Sequence, residues 1–267
     1  MTKLEYKEVN MRVYSDNIWD FCNSGRFPVS VVVVTHQRKE NLSRTLYSIV
    51  KQRTDFNFEI VIVDDASTDG TEEIIEKECR EFIQAKRVKH IKICTRLGFT
   101  KPSYIGAAAA DGKILVFQPS DIVTFTSEGE LQVRAVQKVV DAIDDSTVVA
   151  FAKECAVIRP APNKEARDQL QNWKESTKKL MTVTKYGRHA DHAGESWFSF
   201  GAIRWVDYRG LTDFRAPFPD SRLSAKLNKD GRKIKFLDDI IAMHFPHDSC
   251  NLEGVSQHWW TSLKEPP

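Results

Sequence analysis

Two unbroken runs of β-branched residues constrain this chain more than any other feature. Pro28 is followed by Val29-Ser30-Val31-Val32-Val33-Val34-Thr35, and a second run reads Phe58-Glu59-Ile60-Val61-Ile62-Val63-Asp64-Asp65. Neither alternates apolar with polar, as a strand with one wet face would. Such runs read as strands buried on both faces, the kind found in parallel sheets. Between them, Glu40 to Gln52 carries Leu42, Leu46, Ile49 and Val50 at helical spacing.

The alternation continues. Ser67-Thr68-Asp69-Gly70-Thr71 is a turn and cap cluster that opens a helix over Glu72 to Gln84. Lys89 to Cys94 is a third strand, Lys101 to Ala110 a short helix and Lys113 to Phe117 a fourth strand. Strand and helix repeat with short connections, which predicts α/β structure with a mostly parallel sheet. Ligands of such sheets sit beyond the carboxyl ends of the strands. Thr35-His36, Asp64-Asp65 and Gln118 to Asp121 stand at three such ends and are expected to converge on one crevice.

The second half is less regular. Glu130 to Ala142 reads as a helix, Thr147 to Ala152 as a strand, Ala161 to Leu180 as helical or loose, and Lys185 to Glu195 as a loop. Ser221 to Asn228 reads as a helix; Lys233 to Leu237 and Ile240 to His244 read as two strands. Met1 to about Phe27 has no clean period. Without a Pro/Gly/Ser linker, the expectation is one continuous domain over 1–267, with a nucleotide-binding half at about 28–125, an acceptor half at about 126–248, and extensions at 1–27 and 249–267.

Composition narrows the class. Of 267 residues 41% are apolar and 28% charged, which excludes a disordered, a collagen-like and a coiled-coil chain. A net charge of +2 gives no reason to expect nucleic acid as a partner. Cys22, Cys79, Cys94, Cys155 and Cys250 are odd in number and widely spread, with no C-x-x-C, so a reducing compartment suits them. No signal-like stretch opens the chain, and no apolar run approaches the ~20 residues that span a bilayer. The expectation is a cytoplasmic protein with no transmembrane segment, compatible with peripheral contact at a membrane surface.

Val29 to Asp69 resembles the nucleotide-binding start of the family 2 glycosyltransferases, which have the GT-A fold. The pieces are VSVVVVTHQRKENLSRTLYSIVKQ and FEIVIVDDASTDGT, the second being the more specific. Arg96-Leu97-Gly98 stands where that family has Asn-x-Gly, and Ala110-Asp111-Gly112 resembles its Ala-x-Gly before the fourth strand. GLTDFRAPFPDSRLSAKL resembles its acceptor-side segment and AMHFPHD its late His-x-x-His. The likeness covers roughly residues 28 to 248, strongly in the first third and thinly afterwards. It implies a GT-A-type, Rossmann-like α/β fold with a mostly parallel central sheet flanked by helices and an acceptor-side second half.

Residue by residue, the resemblance implies the following. A carboxylate at the end of the second strand can accept the N–H of a uracil or similar base, and its neighbour a ribose hydroxyl; Asp64 and Asp65 are the pair, with the roles undivided. Ser67, Thr68 and Asp69 suffice to cap the following helix, so the two aspartates are surplus to capping. Thr35 and His36 lie in the loop that the family places under the nucleotide, and Arg38 there could reach a phosphate, unless it pairs with Glu40 at the surface. Arg96 and Lys101 are further phosphate candidates.

The main departure is at the fourth strand. The family ends it with Asp-x-Asp, whose carboxylates hold a divalent cation. Here Gln118 and Ser120 take those places, Gln118 as a nucleotide contact, and Asp121 is the one charge. The metal set implied is then Asp121 with His244 and His247, holding Mn2+ or Mg2+, with imidazole favouring Mn2+. The base that deprotonates the acceptor is Asp220, which doubles as an N-cap; Asp213 is the second choice and an acceptor contact, and Pro219 replaces a family Glu. The loop with His189, His192 and Glu195 reads as a polar lid rather than a zinc site. Trp197, Phe198 and Phe200 read as an acceptor-stacking surface or as core.

Together these imply a glycosyltransferase, inverting and metal-assisted, that moves a sugar from a nucleotide-diphosphate donor, UDP-linked, to a glycan or other hydroxyl acceptor. One rival is a sugar-1-phosphate nucleotidyltransferase, which needs the Gly-rich loop that Thr35 to Asn41 lacks. The other is a nucleotide-sugar-binding relative without turnover, argued by the missing Asp-x-Asp.

Overall fold

The computed structural model describes residues 9–13, 26–126, 128–157, 185–188, 200–211 and 233–245. In chain order the elements are β1 (Val9–Val13), β2 (Val29–Thr35), α1 (Lys39–Val50), β3 (Phe58–Asp65), α2 (Thr71–Glu78), α3 (Arg80–Gln84), β4 (Val88–Ile93), α4 (Thr100–Ala109), β5 (Ile114–Phe117) and β6 (Ile122–Phe125). They continue with α5 (Ala135–Asp141), β7 (Thr147–Val157), β8 (Lys185–Arg188), β9 (Gly201–Arg204), α6 (Trp205–Leu211) and β10 (Lys233–His244).

The strands form one hydrogen-bonded sheet in the order β1-β4-β3-β2-β5-β9-β7-β10-β6, with β8 on β7. The four strands expected from the first half are its parallel centre: β4, β3, β2 and β5 run the same way. Antiparallel strands extend it, β1 beside β4, β9 between β5 and β7, and β6 beside β10.

Burial on both faces explains the unbroken apolar runs. Val29, Val31 and Val33 of β2 pack with Leu42, Leu46 and Ile49 of α1. Val32 faces the other way, into a cluster with Val61, Val63 and Ala107 of α4. Gly106 lets α4 approach, since a Cβ there would lie 2.6 Å from Val32 Cγ1.

The structure departs from the sequence reading at several elements. The helix expected over Glu72 to Gln84 divides at Cys79, whose φ of −102° and ψ of 14° close α2. The α2 N-cap is Gly70 at φ 88°, which has no side chain to cap with. Helix α5 begins only at Ala135; Leu131 and Gln132 first pair back onto β6, a short strand that follows too closely on a polar turn to stand out. Lys185 to Arg188 of the expected loop is strand β8 on β7. The two strands expected near the end are one, β10, with a register shift between Leu237 and Ile241. Within the unpatterned lead-in, Val9 to Val13 is β1. The expected helices over 161–180 and 221–228 lie outside the described residues. No helix among the described residues is long and apolar enough to cross a membrane.

The amino end of the parallel sheet is closed by a buried charge network. Lys89 Nζ lies 3.1 Å from Glu59 Oε2 and 3.1 Å from Asp111 Oδ1, and donates to Ala109 O at 2.8 Å. Ser30 Oγ donates to Glu59 Oε1 at 2.6 Å, the Asp111 N–H donates to the same oxygen at 2.6 Å, and the Gly112 N–H donates to Ser30 Oγ at 2.8 Å. This fixes the Ala110-Asp111-Gly112 turn that leads into β5. A Cβ at Gly112 would lie 2.5 Å from Ser30 N, so the turn requires glycine there. Removing one partner of a buried ionic cluster strands the others. Lys89→Met is therefore expected to lower unfolding free energy by about 3–5 kcal/mol, measured by urea denaturation.

Candidate functional site

The carboxyl ends of the central strands carry the polar residues that the sequence put there. Thr35 is the register partner of Asp64, on adjacent parallel strands. Both side chains are buried. Asp64 Oδ1 accepts the Ser67 N–H at 2.8 Å, while Oδ2 has no hydrogen-bond partner among the described residues. Thr35 Oγ1 has none either. Two unpaired polar atoms on register-paired residues are costly in a protein interior.

Asp65 is used differently. Successive residues of a strand face opposite sides, so it points away from Asp64. Its Oδ1 accepts the Leu97 N–H at 2.7 Å and its Oδ2 the Gly98 N–H at 2.9 Å. The pair predicted without a division of roles is thereby divided: Asp65 fastens the Arg96-Leu97-Gly98 turn, where Gly98 has φ 80°, and Asp64 keeps an unpaired oxygen. His36 Nδ1 lies 2.5 Å from Asp65 O, a contact in which a carbonyl can only accept, so Nδ1 carries the proton. Arg96 and Lys101 are exposed on the two sides of this turn.

The loops after β2 and β3 are stitched together by residues that sequence reasoning had not placed in the site. The Gln37 N–H donates to Ser67 Oγ at 2.9 Å, and the Gln37 side chain bonds Thr68 twice, Nε2 donating to Thr68 Oγ1 at 2.9 Å and Oε1 accepting the Thr68 N–H at 3.2 Å. Asp69 Oδ2 accepts the Lys39 N–H at 2.9 Å at the start of α1, while its Oδ1 accepts the Thr71 hydroxyl at 2.6 Å at the start of α2. Partial burial works against its ionisation, but bonds from the Thr71 hydroxyl and from backbone N–H groups hold its carboxyl below the usual range. The visible signal was the cap cluster itself; its second attachment, to the start of α1, is not legible because capping is read locally. Gln37 and Ala66 take φ values of 50° and 62°, rare for side-chain-bearing residues, at the two loop starts.

At the end of β5, Gln118 and Asp121 are both committed to protein partners. Gln118 Nε2 donates to Ser48 Oγ at 3.0 Å and to Ile122 O at 2.9 Å, turning the amide into α1 and the following turn. Arg38 Nη1 donates to Asp121 Oδ2 at 2.6 Å, so Arg38 pairs across the sheet end. Ser120 Oγ is buried with no hydrogen-bond partner among the described residues. The backbone brings His244 near: it pairs with Ile122, and the Phe245 N–H donates to Asp121 O at 2.8 Å. No three His, Cys, Asp or Glu side chains among the described residues come together as a metal site would require. Asp213, Asp220, Trp197 and His247 lie outside the described residues, as do His189, His192, Glu195 and Phe198; Phe200 is buried in the core.

This arrangement has known counterparts. The profile of glycosyl transferase family 2 matches residues 30–205. The poly(ribitol-phosphate) beta-N-acetylglucosaminyltransferase TarS of Staphylococcus aureus is 34% identical over 96 residues, which are 34% of this chain and 16% of that protein. In structure, TarS residues 1–349 in complex with UDP-GlcNAc align with a TM-score of 0.57 at 19% identity, over 88% of this chain and 64% of that one. The mannosyltransferase PcManGT of Pyrobaculum calidifontis, in complex with GDP-Man and Mn2+, aligns with a TM-score of 0.58 at 16% identity, over 91% of this chain and 66% of that one. The chain thus spans about a sixth of TarS and somewhat under two thirds of each aligned structure. These likenesses carry the GT-A fold. With the profile spanning residues 30–205, from β2 through β9, the chain belongs to glycosyl transferase family 2.

Proposed function

We propose that this chain is a glycosyltransferase that takes a sugar from a nucleotide-diphosphate donor, UDP-linked, and passes it with inversion to a hydroxyl of a glycan or similar acceptor, in the cytoplasm. Membership of the family supports the reaction class, and the bound UDP-GlcNAc and GDP-Man of two structural relatives support the donor class. The observation that carries the reading is the buried pair of Thr35 Oγ1 and Asp64 Oδ2, both without partners. A carboxylate oxygen beside a hydroxyl matches the alternating donor and acceptor edge of a uracil, whose ring N–H the carboxylate takes and whose carbonyl the hydroxyl serves.

Asp65 acts one step removed, holding the turn at Arg96 to Gly98 against the sheet end. Arg96 and Lys101 add positive charge beside it. Asp220 is proposed as the base that takes the acceptor proton, with Asp213 and Trp197 on the acceptor side. The single domain 1–267 then divides its work between a donor half and an acceptor half. A structural relative binds Mn2+, which supports a cation at this end of the family's fold, and Asp121, His244 and His247 are where this chain would hold one. The described donor set does not fit: Gln118 and Ser120 are neutral, and Asp121 is already bonded to a guanidinium.

Asp64→Asn retains an oxygen for the Ser67 N–H but loses the charge. It is expected to weaken nucleotide binding about ten- to a hundred-fold, the worth of one charge-assisted hydrogen bond at about 1.5–3 kcal/mol. Thermal-shift titration with UDP and GDP reads this, and unchanged affinity would reject the nucleoside site. Asp65→Ala is expected to act chiefly on stability, since two buried backbone donors lose their acceptor, with a lowered Tm in the absence of nucleotide.

Asp220→Asn is expected to cut transfer by about 10²–10⁴-fold while donor affinity stays within a few-fold. A normal rate would move the base elsewhere. Donor binding by the unmodified chain with no transfer or donor hydrolysis would instead favour a nucleotide-sugar-binding relative without turnover.

A further inference from the structure

A donor diphosphate bound beyond these strand ends would lie near the carboxylates of Asp64 and Asp121, and like charges repel unless a cation intervenes. The family pattern supplies a divalent metal on two aspartates. By the sequence resemblance those positions fall to Gln118 and Ser120, and the Gln118 amide is turned into the protein towards Ser48 and Ile122 O. The carboxylate that is left, Asp121, is 3% exposed and already holds a cation, with Arg38 Nη1 at 2.6 Å from its Oδ2. A metal on that oxygen would have to expel the guanidinium from a buried carboxylate.

We propose that Arg38 is itself the cation of this site. Its guanidinium, held by Asp121, binds the donor diphosphate and neutralises the charge that develops there, so that donor binding and transfer need no divalent metal. The proposal rests on the reading of the cleft as a nucleotide-sugar site. Arg38 directly precedes α1 in the loop after β2, at the carboxyl end of the sheet where ligands of such folds lie. Its side chain is 26% exposed, anchored yet reachable from solvent. A guanidinium is a planar fork of five donors that can hold a carboxylate and a phosphate at once, and it stays charged at any working pH.

The anchor is fixed in turn. Ile122 N–H bonds back to Pro119 O at 3.0 Å, and Phe245 N–H to Asp121 O at 2.8 Å, so Asp121 sits in a closed turn tied to the end of β10. In the transfer, the bond from the anomeric carbon to the diphosphate oxygen breaks with its electron pair going to that oxygen. The acceptor oxygen bonds to the same carbon, and the acceptor proton passes to the base carboxylate. Arg38 keeps its protons throughout and supplies charge and hydrogen bonds to the leaving oxygens.

The test is titration of the purified chain with UDP and GDP, and with uridine and guanosine, by thermal shift and calorimetry, once in EDTA and once in Mn2+. The diphosphate that binds is expected to do so within about two-fold in the two media, and Mn2+ alone to give no shift. Arg38→Ala is expected to weaken the diphosphate by about ten-fold or more and the nucleoside by no more than about two-fold, and Arg38→Lys to recover part of that loss. Because Arg38→Ala strips Asp121 of its partner, the comparison of media on the unmodified chain comes first and needs no variant. Diphosphate binding that requires Mn2+ overturns the proposal and returns the cation to Asp121 with His244 and His247. So does an Arg38→Ala chain that binds diphosphate normally. Failure of all four compounds in both media overturns the donor reading and this one together, whereas metal-dependent binding overturns this one alone.

Discussion

The parallel pairing of β2 with β3 runs from Val29 opposite Phe58 to Thr35 opposite Asp64, and the rest of the site depends on that register. β2 is bonded on its other side to β5, so it is held between two partners. A slip by one residue would turn Val29, Val31 and Val33 from the α1 face to the α4 face. It would also part Thr35 from Asp64. The same register sets where β5 ends, since the Gln118 N–H bonds Val32 O at 3.1 Å, and hence where Asp121 meets the loop of Arg38.

The two ends of this sheet treat polar groups in opposite ways. At the amino end, Ser30, Glu59, Lys89 and Asp111 bond one another, and the buried charges are paired. At the carboxyl end, Thr35, Asp64 and Ser120 each bury a polar atom that no described residue meets. A hydrogen bond gains strength in a low-dielectric interior, and an unmade one costs correspondingly more.

Between those ends the loops act as a frame. Gln37, Ser67, Thr68 and Asp69 join the turn after β2 to the turn after β3, and Asp65 joins the turn after β4 to both. Of the two carboxylates at the end of β3, Asp64 keeps an oxygen with no hydrogen-bond partner among the described residues. Arg38 and Asp121 close the same frame on the β5 side, so the guanidinium is fixed to the scaffold.

The sequence by itself determined the parallel centre of the sheet, helix α1 and the place of Asp64 and Asp65 at a strand end. These follow from hydrophobic period and length, which neighbouring residues carry along the chain. It did not determine β8, whose polar residues become a strand only because β7 offers an edge, nor the union of two apolar runs into β10 beside β7. The division of labour between Asp64 and Asp65 was equally hidden, because it depends on a turn more than thirty residues onward folding back to meet one of them. Arg38 and Asp121 are 83 residues apart, and nothing periodic links them. Only the tertiary structure decided that pairing, because the closed sheet, not the local chain, brings the guanidinium to that carboxylate.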